Sequence, residues 1–556
     1  MTEESKIIQG AGGGGGNRNR QPPPPYRAPD TLHSRSFATV QDLISEGEIE
    51  GFATASKAGL TKGTTAYDNA SLKDVFLDDT PILDETASNT NPADTKFNFK
   101  DVTFKSKFGT SNQTAMSGIP AESRSPTGVG VIVTASTPVT RQITNTDVDA
   151  VIVTLTWPQI QVAKDNGDLK GDTVEYKIQI QQDSGGYVDK ISSSVSGRTA
   201  DAYQRDHRID LTSGFTTVDV RVVRVTADST TSARINEFQF TSLQEVIDNS
   251  STYANSAYTA LRLDSKQFNR IPTRKYRIRG VKVRIPGAGA SGTGTPDVDP
   301  ATGRIRYPSG YIFNGVMGAA TYTNCPSMCL LDLITNTRYG LGNHIVDSNI
   351  DLFSFVAASK YANEEVDDGT GSGAKEARFS CNVNIQSPKE AFAAINDLAG
   401  VMRCMPIWSA GGITLAQDKP TTASYLFNLA NVGEAGFTYS GSSLKTRHSV
   451  ISVSYFNMDS KEVDFEVVED ATAISKLGTI IKQVKAYACT SRNQAARLGR
   501  AILFAEQNES ETISFITSID AGVVVRPGSV IEINDPVRAG ARRGGRVVSA
   551  TTTTIT

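Results

Sequence analysis

Apolar and polar positions alternate with period two through much of the first 320 residues. Val174, Tyr176, Ile178 and Ile180 alternate with Glu175, Lys177 and Gln179, and Val218, Val220 and Val222 supply a further strand. Val151, Val153, Leu155 and Trp157 alternate with Ile152, Thr154 and Thr156. Successive side chains of a strand point to opposite faces, so this spacing predicts antiparallel sheets with one wet face. Ser184-Gly185-Gly186 provides a hairpin turn between strands. Upstream, two short apolar runs, Val75-Phe76-Leu77 and Ile82-Leu83, flank the polar Asp78-Asp79-Thr80-Pro81 and predict another hairpin. Residues 257–285 return to strands, and 286–303, rich in glycine and proline, form a loop.

Helical spacing is expected only after residue 320. Ser387-Pro388-Lys389-Glu390 reads as a capping box, followed by the stripe Phe392, Ile395, Leu398, Ala399 and Met402. Ser491 with Gln494 opens a second helix whose stripe is Ala495, Leu498, Ile502 and Ala505. Two further helices are expected over 326–334 and 351–361. Between and after them the chain is β again. Val463, Phe465 and Val467 alternate with Glu462, Asp464 and Glu466, giving a strand with one acidic face. Val530, Ile531 and Ile533 follow the turn Arg526-Pro527-Gly528, and 551–556 reads as a strand. The fold class is α+β, β-rich and multidomain, with a fibronectin- or immunoglobulin-like sandwich over 96–245. The expected units are a flexible Gly/Pro-rich leader 1–31, a β-domain 32–95 interrupted by that sandwich and resumed at 246–305, an α/β domain 306–425, and an α+β domain 426–556.

Composition narrows the function classes. Fifty-six basic against 59 acidic residues in 556 leave a net charge of −3, which disfavours a nucleic-acid coat or a polybasic membrane binder. No apolar run is long enough to span a bilayer, and the start Met1-Thr2-Glu3-Glu4 is unlike a secretory signal. Five scattered cysteines (Cys325, Cys329, Cys381, Cys404 and Cys489) do not make a disulfide framework; reduced, mostly buried thiols are expected.

Catalytic signatures are missing. His33, His207, His344 and His448 show no two-ligand spacing, and there is no nucleophile elbow, P-loop or dinucleotide fingerprint. Gly369-Thr370-Gly371-Ser372-Gly373 matches a fingerprint only in composition. The expectation is no enzyme, no metal and no cofactor. Acidic groups such as Glu46, Glu48 and Glu50, or Glu469 with Asp470, read as solvated faces.

One charged segment stands out. Arg274, Lys275, Arg277, Arg279, Lys282 and Arg284 are interleaved with Tyr276, Ile278, Val281, Val283 and Ile285, with a slip at Gly280 that suggests a β-bulge. Three readings are open: a wet edge strand protected by its charge, a subunit interface, or a phosphate contact. These six residues are the candidate interface. A second basic group, Arg538, Arg542, Arg543 and Arg546, is similarly ambiguous.

Seven segments resemble, in order, the tip attachment (host-specificity) protein J family of lambda-like siphophages. They are Asp42-Leu43-Ile44-Ser45-Glu46-Gly47-Glu48-Ile49-Glu50-Gly51, Leu263-Asp264-Ser265-Lys266-Gln267-Phe268, Arg338-Tyr339-Gly340-Leu341-Gly342, Met402-Arg403-Cys404-Met405-Pro406-Ile407-Trp408, Leu444-Lys445-Thr446-Arg447-His448, Cys489-Thr490-Ser491-Arg492-Asn493-Gln494-Ala495 and Arg526-Pro527-Gly528-Ser529-Val530-Ile531-Glu532-Ile533. The resemblance implies a virion tail-tip protein: a homotrimeric hub with tail-tube-like and barrel-like domains and an inserted sandwich, closing the tail channel. Implied partners are the distal tail protein, other tail-tip proteins and the tape-measure protein. Phage DNA would pass without sequence-specific binding, and the host receptor would be met through a fibre region absent from this sequence. A tail-tip cell-wall hydrolase and a cell-surface adhesin are the alternatives.

Overall fold

The computed structural model describes residues 25–32, 34, 37–116, 121–249, 251–264, 267–268, 270–369, 371–387, 389–409, 411–443, 447–539 and 549–554. Its first sheet sets strand Ser256–Asp264 between Phe37–Glu46 and Thr103–Phe108, all antiparallel. Phe52, Tyr67, Val75, Leu77, Ile82, Leu261 and Leu263 make the adjoining core. The hairpin at 75–81 forms, and its two-residue turn places Asp78 and Asp79 at φ 44° and 66°, the left-handed pair that matches strand twist.

Two helices lie before residue 320, contrary to expectation: Ala53–Lys57 and Thr65–Leu72. They bury only small or isolated side chains (Ala53, Ala55, Tyr67, Ala70, Ser71), too few to write a helical stripe into the sequence. The second is nevertheless capped, since Thr64 Oγ1 accepts from the Tyr67 amide at 3.3 Å.

The chain leaves the first sheet at Phe108 and re-enters it in the neighbouring strand at Ser256, so the sandwich between them is an insertion. Its crossing strands are clamped at the neck. Gln113 Nε2 donates to the carbonyls of Thr252, Tyr253 and Ser256 at 3.0, 2.7 and 2.9 Å, and its Oε1 accepts from the Gly109 amide at 3.0 Å. One four-stranded sheet runs Val188–Gly197, Asp172–Gln182, Val218–Arg224, Val139–Ile143. The other runs Tyr203–Asp210, Ala150–Trp157, Gln239–Asn249, Ala121–Ile132. Val174, Tyr176, Ile178 and Ile180 are buried in alternation as their spacing requires. Trp157 is fully buried, with its ring 5.1 Å from Phe238 and 5.4 Å from Tyr176. Its strand is buried on both faces, because Ala150, Ile152 and Val246 form a second small cluster behind it.

The expected leader 1–31 ends in an ordered strap; residues 1–24 lie outside the described residues. Leu169 N donates to Tyr26 O at 2.8 Å, Ala28 N to Leu169 O at 2.9 Å and Thr31 N to Arg198 O at 3.0 Å. Arg198 also holds the Ala28 carbonyl and the Asp30 carboxylate. Leu32 packs against the sandwich core. The flexible reading therefore fails from residue 25 onward, because these backbone groups find sandwich partners that composition does not reveal.

The central unit packs helices Pro326–Thr335, Leu352–Ala362 and Ala391–Val401 around Met328, Leu331, Phe355, Leu398 and Met402. The third begins later than the box at Ser387 predicts. Glu390 is extended (φ −57°, ψ 129°), so it is the N-cap rather than a helical residue, and Lys389 instead pairs with Asp397 and lies over Tyr487.

In the last unit, Val450–Asn457 pairs with Glu462–Glu469 on one side and Ile481–Lys485 on the other. Helix Arg492–Asn508 covers one face, setting Ala495, Ala496 and Leu503 against Ile451, Val453, Tyr455 and Val468. Gly499 permits the close approach: a Cβ there would lie 2.9 Å from Val468 and 3.3 Å from Val453. Ser491 caps the helix, but Gln494 does not close the box, since its amide bonds both the N–H and C=O of Ser380. Residues 531–534 form a strand parallel to Tyr425–Asn428. Residues 551–554 make a turn rather than a strand, because Thr551 accepts from the Thr554 amide with its own hydroxyl; 555–556 lie outside the described residues.

Candidate subunit interface

The basic segment is not one bulged strand. It is three short strands, Arg274–Tyr276, Ile278–Val281 and Val283–Pro286, each paired with a different partner. The slip in alternation comes from these changes of partner at Arg277 and Lys282, and register through Gly280 is unbroken.

Each cation is held within the chain. Arg274 makes a two-point pair with Asp42 (2.6 and 2.9 Å), and Tyr276 donates to the same carboxylate at 2.6 Å. Those bonds, from Arg274 above all, hold the Asp42 carboxyl below its ordinary range. Lys275 pairs with Asp79 at 2.5 Å. Arg277 meets Asp74 at 2.7 Å and Glu85 at 3.3 Å. Asp74 is 0% exposed and also accepts from the Thr54 amide and hydroxyl at 2.6 and 2.8 Å. Arg279 is buried, bonded to the Ala301 carbonyl at 3.0 Å and stacked 5.0 Å from the Tyr322 ring. Lys282 pairs with Glu48 at 2.7 Å and Glu50 at 3.7 Å. Arg284 makes a two-point pair with Asp347 (2.7 and 2.8 Å), which lowers that carboxyl.

Three of the seven acids, Asp42, Glu48 and Glu50, come from the segment 42–51, so two stretches read separately in the sequence meet in one seam. Arg338 joins it through Glu46, and Tyr339 packs beside Gly47, where a Cβ would stand 3.3 Å from the ring. The seam ties the first sheet to the central helices. Arg538 pairs with Glu511 at 2.6 Å, whereas Arg542, Arg543 and Arg546 lie outside the described residues.

Residues 123–249 match the model described as the tip attachment protein J FNIII-A domain, and 390–548 match one described as a putative phage tail protein. The chain is 30% identical over 532 residues to tip attachment protein J of Escherichia phage SECphi4, covering 94% of this chain and 43% of that protein. It is also 30% identical over 466 residues to the same protein of Escherichia phage SECphi27, covering 84% of this chain and 37% of that one. The chain belongs to the tip attachment protein J family. It spans less than half the length of these J relatives. Among solved structures, the 43 kDa tail protein of prophage MuSo2 from Shewanella oneidensis aligns with 72% of this chain and 89% of that one at 11% identity, but a TM-score of 0.24 carries no argument. The inserted sandwich of this J-family chain is the part that the FNIII-A model matches. The relatives are named as attachment proteins, not as enzymes.

Other candidate chemistry in this J-family chain is structural. Among the described residues no group of three His, Cys, Asp or Glu could hold a metal. No helix there is long and apolar enough to cross a membrane. His207 bonds Tyr176 at 2.8 Å, and burial pushes its pKa down to about 4. Burial lifts the thiols of Cys404 and Cys489 to about 12 and 11, so both stay protonated.

Sequence reasoning missed a surface. In strand Glu462–Glu469 Asp464 and Glu466 lie on the helix side of the sheet, although Asp464 stays exposed there. Glu466 turns toward the covering helix and pairs with Arg492 at 2.6 Å, and Asp464 accepts from Tyr455 and Asn457. Val463, Phe465 and Val467 are 63%, 60% and 54% exposed. Pairing sets them across from Phe456, Ser454 and Ser452, with Ile481 exposed on the same face beyond. The signal was present in the strength of the alternation, but alternation alone does not say which face a single chain covers. At the hairpin tip, Lys461 lies 3.6 Å from the Phe76 ring, fixing this sheet to the first unit.

Proposed function

We propose that the chain is a subunit of a homotrimeric baseplate hub at the phage tail tip, which closes the tail channel and rearranges when the host is engaged, taking part in attachment and DNA ejection. The observation that carries it is the bare apolar face at Val463, Phe465 and Val467 in a chain of the J family. Contiguous apolar area of this kind marks a protein contact, and a repeated copy is the simplest occupant. Tail-tube-like domains in the 306–556 region would extend the tube, and contacts with the distal tail protein, other tail-tip proteins and the tape-measure protein would follow. Phage DNA would pass through the channel without sequence-specific recognition. The six-residue basic segment belongs to this proposal through its outer ends, since Lys275 and Arg284 keep 49% and 37% of their side chains exposed while paired.

The test is imaging. Purified protein should form threefold rings, and antibody raised to the FNIII-A domain should label the tail tip of virions. Label on the capsid or tail shaft, or particles without threefold symmetry, would overturn the reading.

A further inference from the structure

A cleft of about 290 Å³ opens where helix Ala391–Val401 meets the end of strand Ile481–Lys485 and the start of helix Arg492–Asn508. Phe379, Val401, Val484 and Leu498 give it apolar walls. Arg403 also lines it and, among the described residues, is paired with no carboxylate; Lys485 borders it only from an exposed position on the strand face opposite Val484. Arg403 has one long contact, 3.4 Å to the Arg497 carbonyl, and stands 5.8 Å from the Phe379 ring. The acid on the wall, Asp397, is already bonded to Lys389. This differs from the seam, where each lysine and all but one arginine found a carboxylate. The cleft is thus an apolar slot with one uncompensated cation, at the small end of ligand pockets and between two units of the chain.

The backbone supplies an independent sign. Arg403, which lines the cleft, holds a φ of 53°, a left-handed value that side-chain-bearing residues rarely adopt. Such strain persists where the surroundings enforce it, and it concentrates at ligand sites. At 403 its consequence is to hold an arginine, rather than a strain-free glycine, against the slot.

We propose that this cleft binds a carboxylate carried on an aromatic or aliphatic body, with Arg403 holding the anion and the apolar walls holding the body. The site does not depend on the tail-tip reading. Two sources share that chemistry, a free small acid and the carboxylate end of a peptide. Titration of the full chain with 3-phenylpropionate probes the first, and an acetylated tetrapeptide ending in phenylalanine probes the second. Binding of either, with its amide counterpart about tenfold weaker or worse, is the expected result, and which probe binds identifies the source. Arg403→Gln should lose about tenfold in affinity. Arg403→Gly removes the cation and relieves the left-handed strain, so it should melt no lower than wild type while losing the same affinity. Equal binding of acid and amide, no binding of either acid, or unchanged affinity in both variants would overturn the proposal.

Discussion

The FNIII-A sandwich and the sheet at 450–485 are built from the same alternating pattern, yet they end in opposite relations to solvent. In the sandwich each apolar row meets a row from the facing sheet, and Trp157, Tyr176 and Phe238 close the middle. The later sheet has one helix for two faces. Ile451, Val453 and Tyr455 go beneath that helix, and Val463, Phe465 and Val467 are left bare. An insertion tied to the rest by its neck and by the strap at 25–32 must complete most of its own core. A sheet that belongs to an assembly can leave half of its burial to a neighbour.

The largest effect should fall on the self-contained side. Trp157→Ala should cost about 3–5 kcal/mol, read as loss of the sandwich transition in denaturant unfolding. Arg277→Ala leaves Asp74 buried without its cation and should cost about 3 kcal/mol, with the first unit unfolding before the sandwich. Equal loss in both units would show that the two are one cooperative body and would blunt the contrast. Gln113→Ala should cost about 1–2 kcal/mol and raise amide exchange at 252–256 while leaving the sandwich interior protected. Acid probes the seam pairs. Asp42 and Asp347 titrate below the ordinary value of 3.8, so the folded state binds fewer protons than the unfolded one there. Their contribution is complete above that value and is lost as pH falls through their depressed pKa values. The share of stability that the Asp42–Arg274 pair gives the first unit should therefore be lost below about pH 4, and Arg274→Gln should remove that share of the pH dependence. The smallest effect on the isolated chain belongs to Phe465→Ser, within about 0.5 kcal/mol, because the side chain is already in water.

Much of this was legible. The spacing of 174–180 and 218–222 specified the sandwich strands, and Ser491 marked its helix correctly. Three features were not legible, each for a physical reason. Helix Thr65–Leu72 buries mainly Tyr67 and Ala70, so no stripe announced it. The basic segment looked like a surface because its counter-charges, Asp42, Glu48 and Asp74, lie some 200 residues away in sequence and meet it only in the fold. The bare apolar row of the acidic strand was not legible, because a period-two pattern fixes alternation and not which row a single chain covers. That row is the candidate contact.

The most direct test of the account is solution mass by light scattering across a dilution series, for the wild-type chain and for Val463→Ser/Phe465→Ser/Val467→Ser. The account predicts three times the 59.5 kDa chain mass for wild type and a folded monomer for the variant. A wild-type monomer, or a variant that assembles as tightly as wild type, would contradict it.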